Sequence, residues 1–395
     1  MTASESRPGD TDMTDTQTLN RPGTRRDGND DPFRFADDLG PAKIVHVTEH
    51  TTGLRATVVV DNVALGQAIG GVRMAPDVST DECFGLARAM TLKNAAAGLR
   101  HGGGKAVIAA DPSMPVGDKE RLLRAFARAI ADLDDYVPGP DMGTDETCMA
   151  WVRDEIGRAV GLPAVLGGIP LDEIGATGYG LTAAIDVAAE HIGMALTGAR
   201  IAVQGFGAVG IHAARFLVER GCILVAVADS GGAIVDPHGL DVDQLVDTKS
   251  SGSVARHHVG HRIERDAIVG VECDIWIPAA RPNVLRVDNV GTLRARIVAQ
   301  GANIPATPEA EAVLAERGVL CLPDFIVNAG GVIAGAVEYA GGTTAEAMRT
   351  IDERIRANTA TMLETASSEG ISPREAASRS ARRRVERAMS TQRFH

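Results

Sequence analysis

RIAVQGFGAVGIHAARF, residues 200–216, sets a short apolar run, three spaced glycines and an amphipathic helical run in direct succession. Spaced glycines alone carry little information; the order of strand, glycines and helix gives them meaning. Gly205 permits the tight turn, Gly207 lets backbone approach a pyrophosphate, and Gly210 lets the helix lie close on the strand. The first helical turn, at Ala208 and Val209, adds partial positive charge for an anion. The next apolar run, CILVAVADS, ends near Asp229, nineteen residues after Gly210, where a carboxylate is placed to bind a ribose 2′-hydroxyl. Such a carboxylate repels a 2′-phosphate, so the spacing favours NAD, while Ser230 and nearby arginines leave NADP open.

Working outward, helical GYGLTAAIDVAAEHI precedes this stretch, and apolar runs recur at CDIWIPAA (273–280), ARIVAQGAN (295–303) and VLCLPDF (319–325). Strands alternating with helices predict a mostly parallel sheet joined by right-handed crossovers. Ahead of it, KIVHV and LRATVVVD read as strands, residues 81–99 as a helix with Asp81 favouring its N-terminus, KAVIAAD (105–111) as a strand and 118–133 as an amphipathic helix. YVPGPDMGTDE (136–146) reads as a Pro/Gly loop entering another helix, with Asp145 as its cap. The fold class is therefore α/β in two domains. Residues 33–165 form an N-terminal mixed α/β substrate domain, and 166–344 a Rossmann-type doubly wound dinucleotide-binding domain. Helices over about 345–395 are expected to pack back on the first domain. Their basic segment SPREAASRSARRRVERAM reads as a solvated helix or subunit contact.

Composition limits the function classes. The net charge of −12 argues against a nucleic-acid partner, which calls for clustered positive charge. Residues 1–32 hold almost no apolar side chains and are expected to be a disordered tail. No secretory apolar region and no membrane-length apolar run is present in the sequence. The five cysteines are scattered without a CxxC pair, which predicts reduced thiols, no metal site and a cytoplasmic location.

The chain has five lysines against thirty-five arginines, yet Lys93 and Lys105 lie twelve residues apart around a triple glycine. Arginine stays charged and cannot act as a base near neutral pH, whereas a lysine that is buried or set beside a second cation can release its proton. One of the two is thus a candidate base in a glycine-lined cleft. Asp141, on a turn between Pro140 and Met142, is a candidate proton carrier. Asn328, beside the glycines of NAGG, offers an amide where a ligand can come close.

Taken together, IGGVRM (69–74), MTLKNAAAGLRHGGGK (90–105), PGPDMGTDETCMAW (138–151), GATGYG (175–180), VQGFGAVG (203–210), QGANIPATPEAEAVL (300–314) and PDFIVNAGGV (323–332) resemble the glutamate/leucine/phenylalanine/valine dehydrogenases, over nearly the whole chain after residue 40. The resemblance implies reversible oxidative deamination of an L-amino acid to a 2-oxo acid, ammonium and NADH by a homo-oligomer. It implies that Lys93 pairs with the substrate α-carboxylate and that Lys105 activates the water attacking an iminium carbon. It implies that Asp141 moves protons at the nitrogen, that Asn328 holds the carboxylate or the nicotinamide end, and that Thr177 lies near the carboxamide. Gly70 and Gly71 would line the substrate pocket with Gly139 and Val332, and Ala279, Ala280 and Asn303 would line the cofactor.

Two positions depart from the glutamate branch. Ile69 stands where those enzymes carry a lysine for the substrate's side-chain carboxylate, and Gly335 stands where they carry a serine. An unpaired carboxylate buried there would cost several kcal/mol. The expectation is an apolar side chain such as Leu, Val, Met or Phe, with space left by Gly139 and Gly335. L-Glutamate is the alternative, since PGPDMGTDETCMAW looks closer to that branch, and a catalytically silent NAD-binding protein is a second alternative.

Overall fold

The computed structural model describes residues 31–391. Most of the tail expected over 1–32 lies outside the described residues. The chain divides into a short unit, Met1–Ala36, and a large one, Asp37–His395. In the short unit, residues 31–36 turn back on themselves, with Arg34 N donating to the Asp31 carbonyl and Ala36 N to that of Phe33.

The large unit contains two sheets. The first is built from β1 (Lys43–Glu49), β2 (Leu54–Asn62), β3 (Ala68–Ala75), β4 (Gly102–Ala109) and β5 (Tyr136–Pro140), in the order β1-β2-β4-β3-β5. The β1–β2 and β2–β4 pairs are antiparallel, and β3 runs parallel to both β4 and β5. Helices α1 (Thr80–Ala96), α2 (Val116–Ala129) and α3 (Glu146–Ile156) cover it. Val58, Val60, Val72, Ile108, Phe126, Met149 and Tyr136 form the centre of its core, as expected for an alternating strand face against amphipathic helices.

The second sheet takes in β6 (Arg200–Gln204), β7 (Ile223–Asp229), β8 (Gly232–Val235), β9 (His261–Ile263), β10 (Ile275–Pro278), β11 (Ile297–Ala299) and β12 (Leu320–Leu322). Its order is β12-β11-β10-β6-β7-β8-β9, parallel from β12 to β7 and antiparallel at β8 and β9. Helices α4 (Ala176–His191), α5 (Ala208–Glu219), α6 (Val242–Ser250) and α7 (Pro308–Glu316) flank the strands, and α8 (Asp324–Val327) and α9 (Gly330–Tyr339) follow the last one. Two long helices, α10 (Thr344–Glu369) and α11 (Pro373–Thr391), end the described chain. Connections from β6 run to β7 on one side, while β10 lies on the other. The carboxyl ends of β6 and β10 are therefore a topological switch point, where doubly wound sheets leave a crevice.

Two local expectations are corrected. The strand expected over 105–111 starts earlier: Gly102, Gly103 and Gly104 are the buried start of β4, which ends at Ala109. A Cβ on Gly103 would sit 2.0 Å from Thr91 N of α1, and one on Gly104 would sit 2.9 Å from the Tyr136 ring. The glycines therefore let α1 and the Tyr136 ring of β5 close onto β4, which sequence spacing could not distinguish from a ligand approach. YVPGP is not a loop but β5, and its prolines are tolerated because β5 is an edge strand. Helix α1 carries Asp81 in its first turn, as expected, and is capped by Ser79, whose hydroxyl accepts from Glu82 N. Asp145 does cap α3, accepting from Cys148 N at 2.9 Å. The short antiparallel strands β8 and β9 had no expectation, being too short and polar to stand out from a loop.

Of the C-terminal helices, α11 packs Ala381 and Val385 beside Ala95 of α1, whereas α10 buries Ala347, Ile351 and Ile355 in the second sheet's core. Arg384 of α11 donates to the carbonyls of Ala95 and Leu99 at 2.7 Å each, and Arg354 of α10 donates to those of Ala97 and Gly98. Both arginines thus satisfy orphan carbonyls at the C-terminal end of α1, the helix that carries Lys93.

Candidate active site

Three adjacent elements bring the first group of side chains together. Lys105 is on β4 and is 6% exposed; β3 beside it carries Gly71, and Asp141 follows directly on β5. Lys105 Nζ forms an ion pair with the Asp141 carboxylate. A Cβ on Gly71 would stand 2.7 Å from Asp141 Cβ and 3.1 Å from Lys105 Nζ, so the missing side chain is the space in which the pair meets. A Cβ on Gly70 would lie 1.7 Å from the Gly104 carbonyl oxygen, so this glycine serves strand packing. Met142 N donates to Asp141 at 2.7 Å, and Arg73 Nε stands 3.5 Å from the same carboxylate. Burial pushes the Asp141 carboxyl up, but Lys105, the Met142 N–H and Arg73 together outweigh it and hold the carboxyl below its ordinary range. Arg73, which sequence reasoning missed although it lies within IGGVRM, is fixed from behind by Glu82 at 2.6 Å.

Lys93, on α1, reaches the second sheet's side of the molecule. Its ammonium donates to Asn328 Oδ1 at 2.7 Å, and Asn328 Nδ2 donates to Asn303 Oδ1 at 3.0 Å and to the Gly301 carbonyl at 3.3 Å. Burial pushes the Lys93 ammonium down to about 8; the Asp324 carboxylate works against this, and the Lys105 charge adds to it. Asn94, next in sequence, donates to the Gly102 carbonyl at 2.7 Å and so pins α1 to β4.

The dinucleotide motif has the shape its residues require. Gly205 has φ +101°, and a Cβ there would lie 2.6 Å from Ala280 N and 2.7 Å from the Ala279 carbonyl carbon, at the switch point. Gly207, the N-cap of α5, makes no side-chain cap, and a Cβ on it would meet nothing within 4 Å, leaving Ala208 and Val209 to offer their N–H groups outward. A Cβ on Gly210 would lie 1.9 Å from the Gly205 carbonyl oxygen, as close strand–helix packing demands. Thr177 is the second residue of α4, its hydroxyl 3.6 Å from where a Cβ on Gly331 would be. These residues fit a dinucleotide pyrophosphate at the α5 N-terminus and its nicotinamide end towards Thr177, Asn303 and Asn328.

The spacing suggested an open carboxylate, but Asp229 is 8% exposed and its oxygens are engaged within the chain. It accepts from Gly231 N at 2.9 Å, Ser253 Oγ at 2.7 Å and Val254 N at 2.9 Å, with Lys249 Nζ at 3.6 Å. Burial raises the Asp229 carboxyl, while Ser253, the backbone donors and Lys249 together bring it below its ordinary range. A carboxylate so occupied holds the 253–254 backbone, which had no local signal in the sequence.

The side-chain end of the candidate pocket is apolar. Ile69 packs with Val137 and Val160, and Tyr339 joins them. The space expected beside Gly139 is taken by Val160, since a Cβ there would be 3.0 Å from Val160 Cγ2, whereas a Cβ on Gly335 would stand at an ordinary contact distance of 3.9 Å from the same side chain. Val160, in the segment after α3, and Tyr339 were not foreseen, because a lone valine and a lone tyrosine have no pattern. Tyr339 Oη donates to Gln67 Oε1 at 3.0 Å. Val332 does not join this cluster but packs against the second sheet's core.

Residues 41–158 match the family model for the Glu/Leu/Phe/Val dehydrogenase dimerisation domain, and 167–393 match that for glutamate/leucine/phenylalanine/valine dehydrogenase. The chain belongs to this family. It is an NAD(P)-dependent amino acid dehydrogenase acting on CH–NH2 donors. It is 39% identical over 322 residues to a glutamate dehydrogenase of Aeropyrum pernix, covering 76% of this chain and 77% of that one. It is 37% identical over 323 residues to an NAD-specific glutamate dehydrogenase of Staphylococcus aureus, covering 78% and 77%. Among solved structures, the hetero-hexameric glutamate dehydrogenase of Thermus thermophilus in a leucine-bound form superposes with a TM-score of 0.80 at 29% identity, covering 90% of this dehydrogenase and 91% of that chain. Among the described residues, no helix of this dehydrogenase is long and apolar enough to cross a membrane.

Proposed function

We propose that this dehydrogenase deaminates an L-α-amino acid with Lys105 as general base, Asp141 as proton carrier and Lys93 as the α-carboxylate anchor. The observation that carries this is the Lys105–Asp141 ion pair buried in the space left by Gly71, with Lys93 joined to Asn328 beside it. The bound nicotinamide supplies the acceptor for the hydride leaving Cα. Lys93 and Asn328 orient the α-carboxylate, Asp141 exchanges protons with the nitrogen, and Lys105 takes a proton from the water that adds to the substrate carbon. Asn303, Asn328 and Thr177 hold the nicotinamide end, Gly205, Gly207 and the α5 N-terminus the pyrophosphate, and the Asp229-held backbone the ribose. NAD is the favoured cofactor, as in the named relative from Staphylococcus aureus.

For the side chain, the relatives support L-glutamate, and we take that as the first reading. The apolar side chain expected from Ile69 and Gly335 has less support from them. It stands as a second reading on one observation: Ile69, Val137, Val160 and Tyr339 form an apolar cluster at this end of the pocket. Steady-state kinetics with L-glutamate, Leu, Val, Met and Phe, each with NAD and NADP, decide between the two. A kcat/KM for glutamate below those of the apolar substrates overturns the first reading; a value well above them removes the second.

Two coarser features are proposed with it. Residues 33–165 with the helices over about 345–395 serve substrate binding and assembly, and 166–344 bind the dinucleotide. The assembly is a homo-oligomer, supported by the match of residues 41–158 to a dimerisation domain, and light scattering of the full chain tests it.

A further inference from the structure

The turn that carries Asn303 has an unusual backbone. Ile304, its neighbour, has φ +48°, although a β-branched residue in the left-handed region is strained by contact of its Cβ with the backbone. Ile304 is also 57% exposed, so its side chain gains little from burial in return. Such a conformation persists only where surrounding bonds over-determine it. Two bonds do so here: the Ile304 carbonyl accepts from Asn283 N at 2.9 Å, and Asp324, at the start of α8, accepts from Ile304 N through Oδ2 at 2.9 Å. Its Oδ1 accepts from Arg374 Nη2 of α11 at 2.9 Å. Arg374 is held in turn by Glu311, through Nε at 2.7 Å and Nη2 at 2.8 Å, and by Gln300 Oε1 at 2.8 Å. Asp324 is 6% exposed, so its charge is balanced within this network rather than by water. From the turn, Asn303 Oδ1 accepts from Asn328, and Asn328 Oδ1 accepts from Lys93.

We infer that Asp324 is a positioning residue for both halves of the site: through Ile304 it sets the turn carrying Asn303, and through Asn303 and Asn328 it sets Lys93, with Arg374 holding its carboxylate. This goes beyond the proposed roles and rests on Lys93 being the α-carboxylate anchor. The charged groups that act on Lys93 are Asp324 from α8 and Lys105 from β4; Lys105 is itself paired with Asp141, beside Arg73. Removing the negative charge of Asp324 therefore leaves Lys93 easier to neutralise, and a neutral Lys93 cannot pair with a carboxylate.

The test uses the full-length protein in reductive amination, with whichever of 2-oxoglutarate or 4-methyl-2-oxopentanoate it turns over, together with NADH fluorescence titration. Asp324→Asn keeps an acceptor for Ile304 N but removes the charge. It is expected to raise KM for the 2-oxo acid about fivefold or more with a smaller change in kcat, and to move the alkaline limb of kcat/KM to lower pH by roughly half a unit. Asp324→Ala also loses the acceptor and is expected to weaken NADH binding by about tenfold. Adding Ile304→Gly to Asp324→Ala should restore part of that affinity, because glycine holds a positive φ without a clamp. A purely structural residue would not give this rescue or the shifted limb. An Asp324→Asn enzyme with unchanged KM and unchanged alkaline limb overturns the inference, as does an Asp324→Ala enzyme whose NADH affinity Ile304→Gly fails to improve. Lys93→Ala is the control: if it leaves the 2-oxo acid KM unchanged, the anchor reading falls and the inference with it.

Discussion

Two lysines of the same chemistry are made different by their neighbours. Lys105 faces a carboxylate in a slot that only a glycine at position 71 leaves open, and Lys93 faces a neutral amide. Lys105→Ala is expected to lower turnover by about 10²–10⁴-fold, the usual share of a general base, while NADH affinity stays near normal. Loss of NADH binding in that variant would instead make Lys105 a structural residue. Lys93 carries a stability consequence. Its ammonium is held at about 8, below the ordinary lysine value, so the folded chain tolerates the charged form less well than the unfolded chain does. Below pH about 8 both states are charged and the penalty is complete; it fades as pH rises to about 10.4 and is absent above. Lys93→Met should therefore be more stable than wild type near pH 7, on the order of 1 kcal/mol, with the difference shrinking between pH 8 and 10.4. Denaturant titrations at pH 7 and 10 measure it, and equal differences at both would refute the burial of an ammonium as the cause. The residue types in this site were legible as a constellation, but their pairing was not. That Lys105 meets Asp141 while Lys93 meets Asn328, and that Asp229 is consumed by Ser253 and Val254, follows from contacts across 36, 235 and about 25 positions of sequence.

At the scale of elements, α1 decides how far Lys93 projects. Its N-terminus is held by Ser79, its middle by close approach to Gly103, and its C-terminal carbonyls by Arg354 and Arg384 from helices at the far end of the chain. Arg384→Ala removes two charge-assisted bonds to Ala95 and Leu99 and should cost about 1.5–3 kcal/mol in urea unfolding. It should also raise KM for the 2-oxo acid more than it lowers kcat, because the helix end beside Lys93 loosens. A stability loss with both kinetic constants untouched would separate α1 anchoring from the site. Long, strongly periodic elements such as α5 and α10 and the buried strands β6 and β7 could be read from pattern alone. The short β8 and β9 and the proline-bearing β5 could not, since strand pairing rather than local propensity makes them strands.

At the scale of the whole molecule, a chain beginning its first sheet at Lys43 ends by packing α11 on that sheet's helix, so the second sheet is spliced between the parts of the first layer. The same α11 reaches the dinucleotide side through Arg374 and Asp324, so one helix braces both halves of the candidate site. The sequence by itself determined the α/β class, the dinucleotide motif, the family resemblance and the residue types of the chemistry, because those depend on local period, on glycine's backbone freedom and on side-chain acidity. Only the tertiary structure decided which carboxylate meets which lysine, that Val160 fills the room left by Gly139, and that a strained isoleucine is held by a buried aspartate. Those outcomes depend on the juxtaposition of distant segments, where close packing and the need to partner every buried charge leave few arrangements.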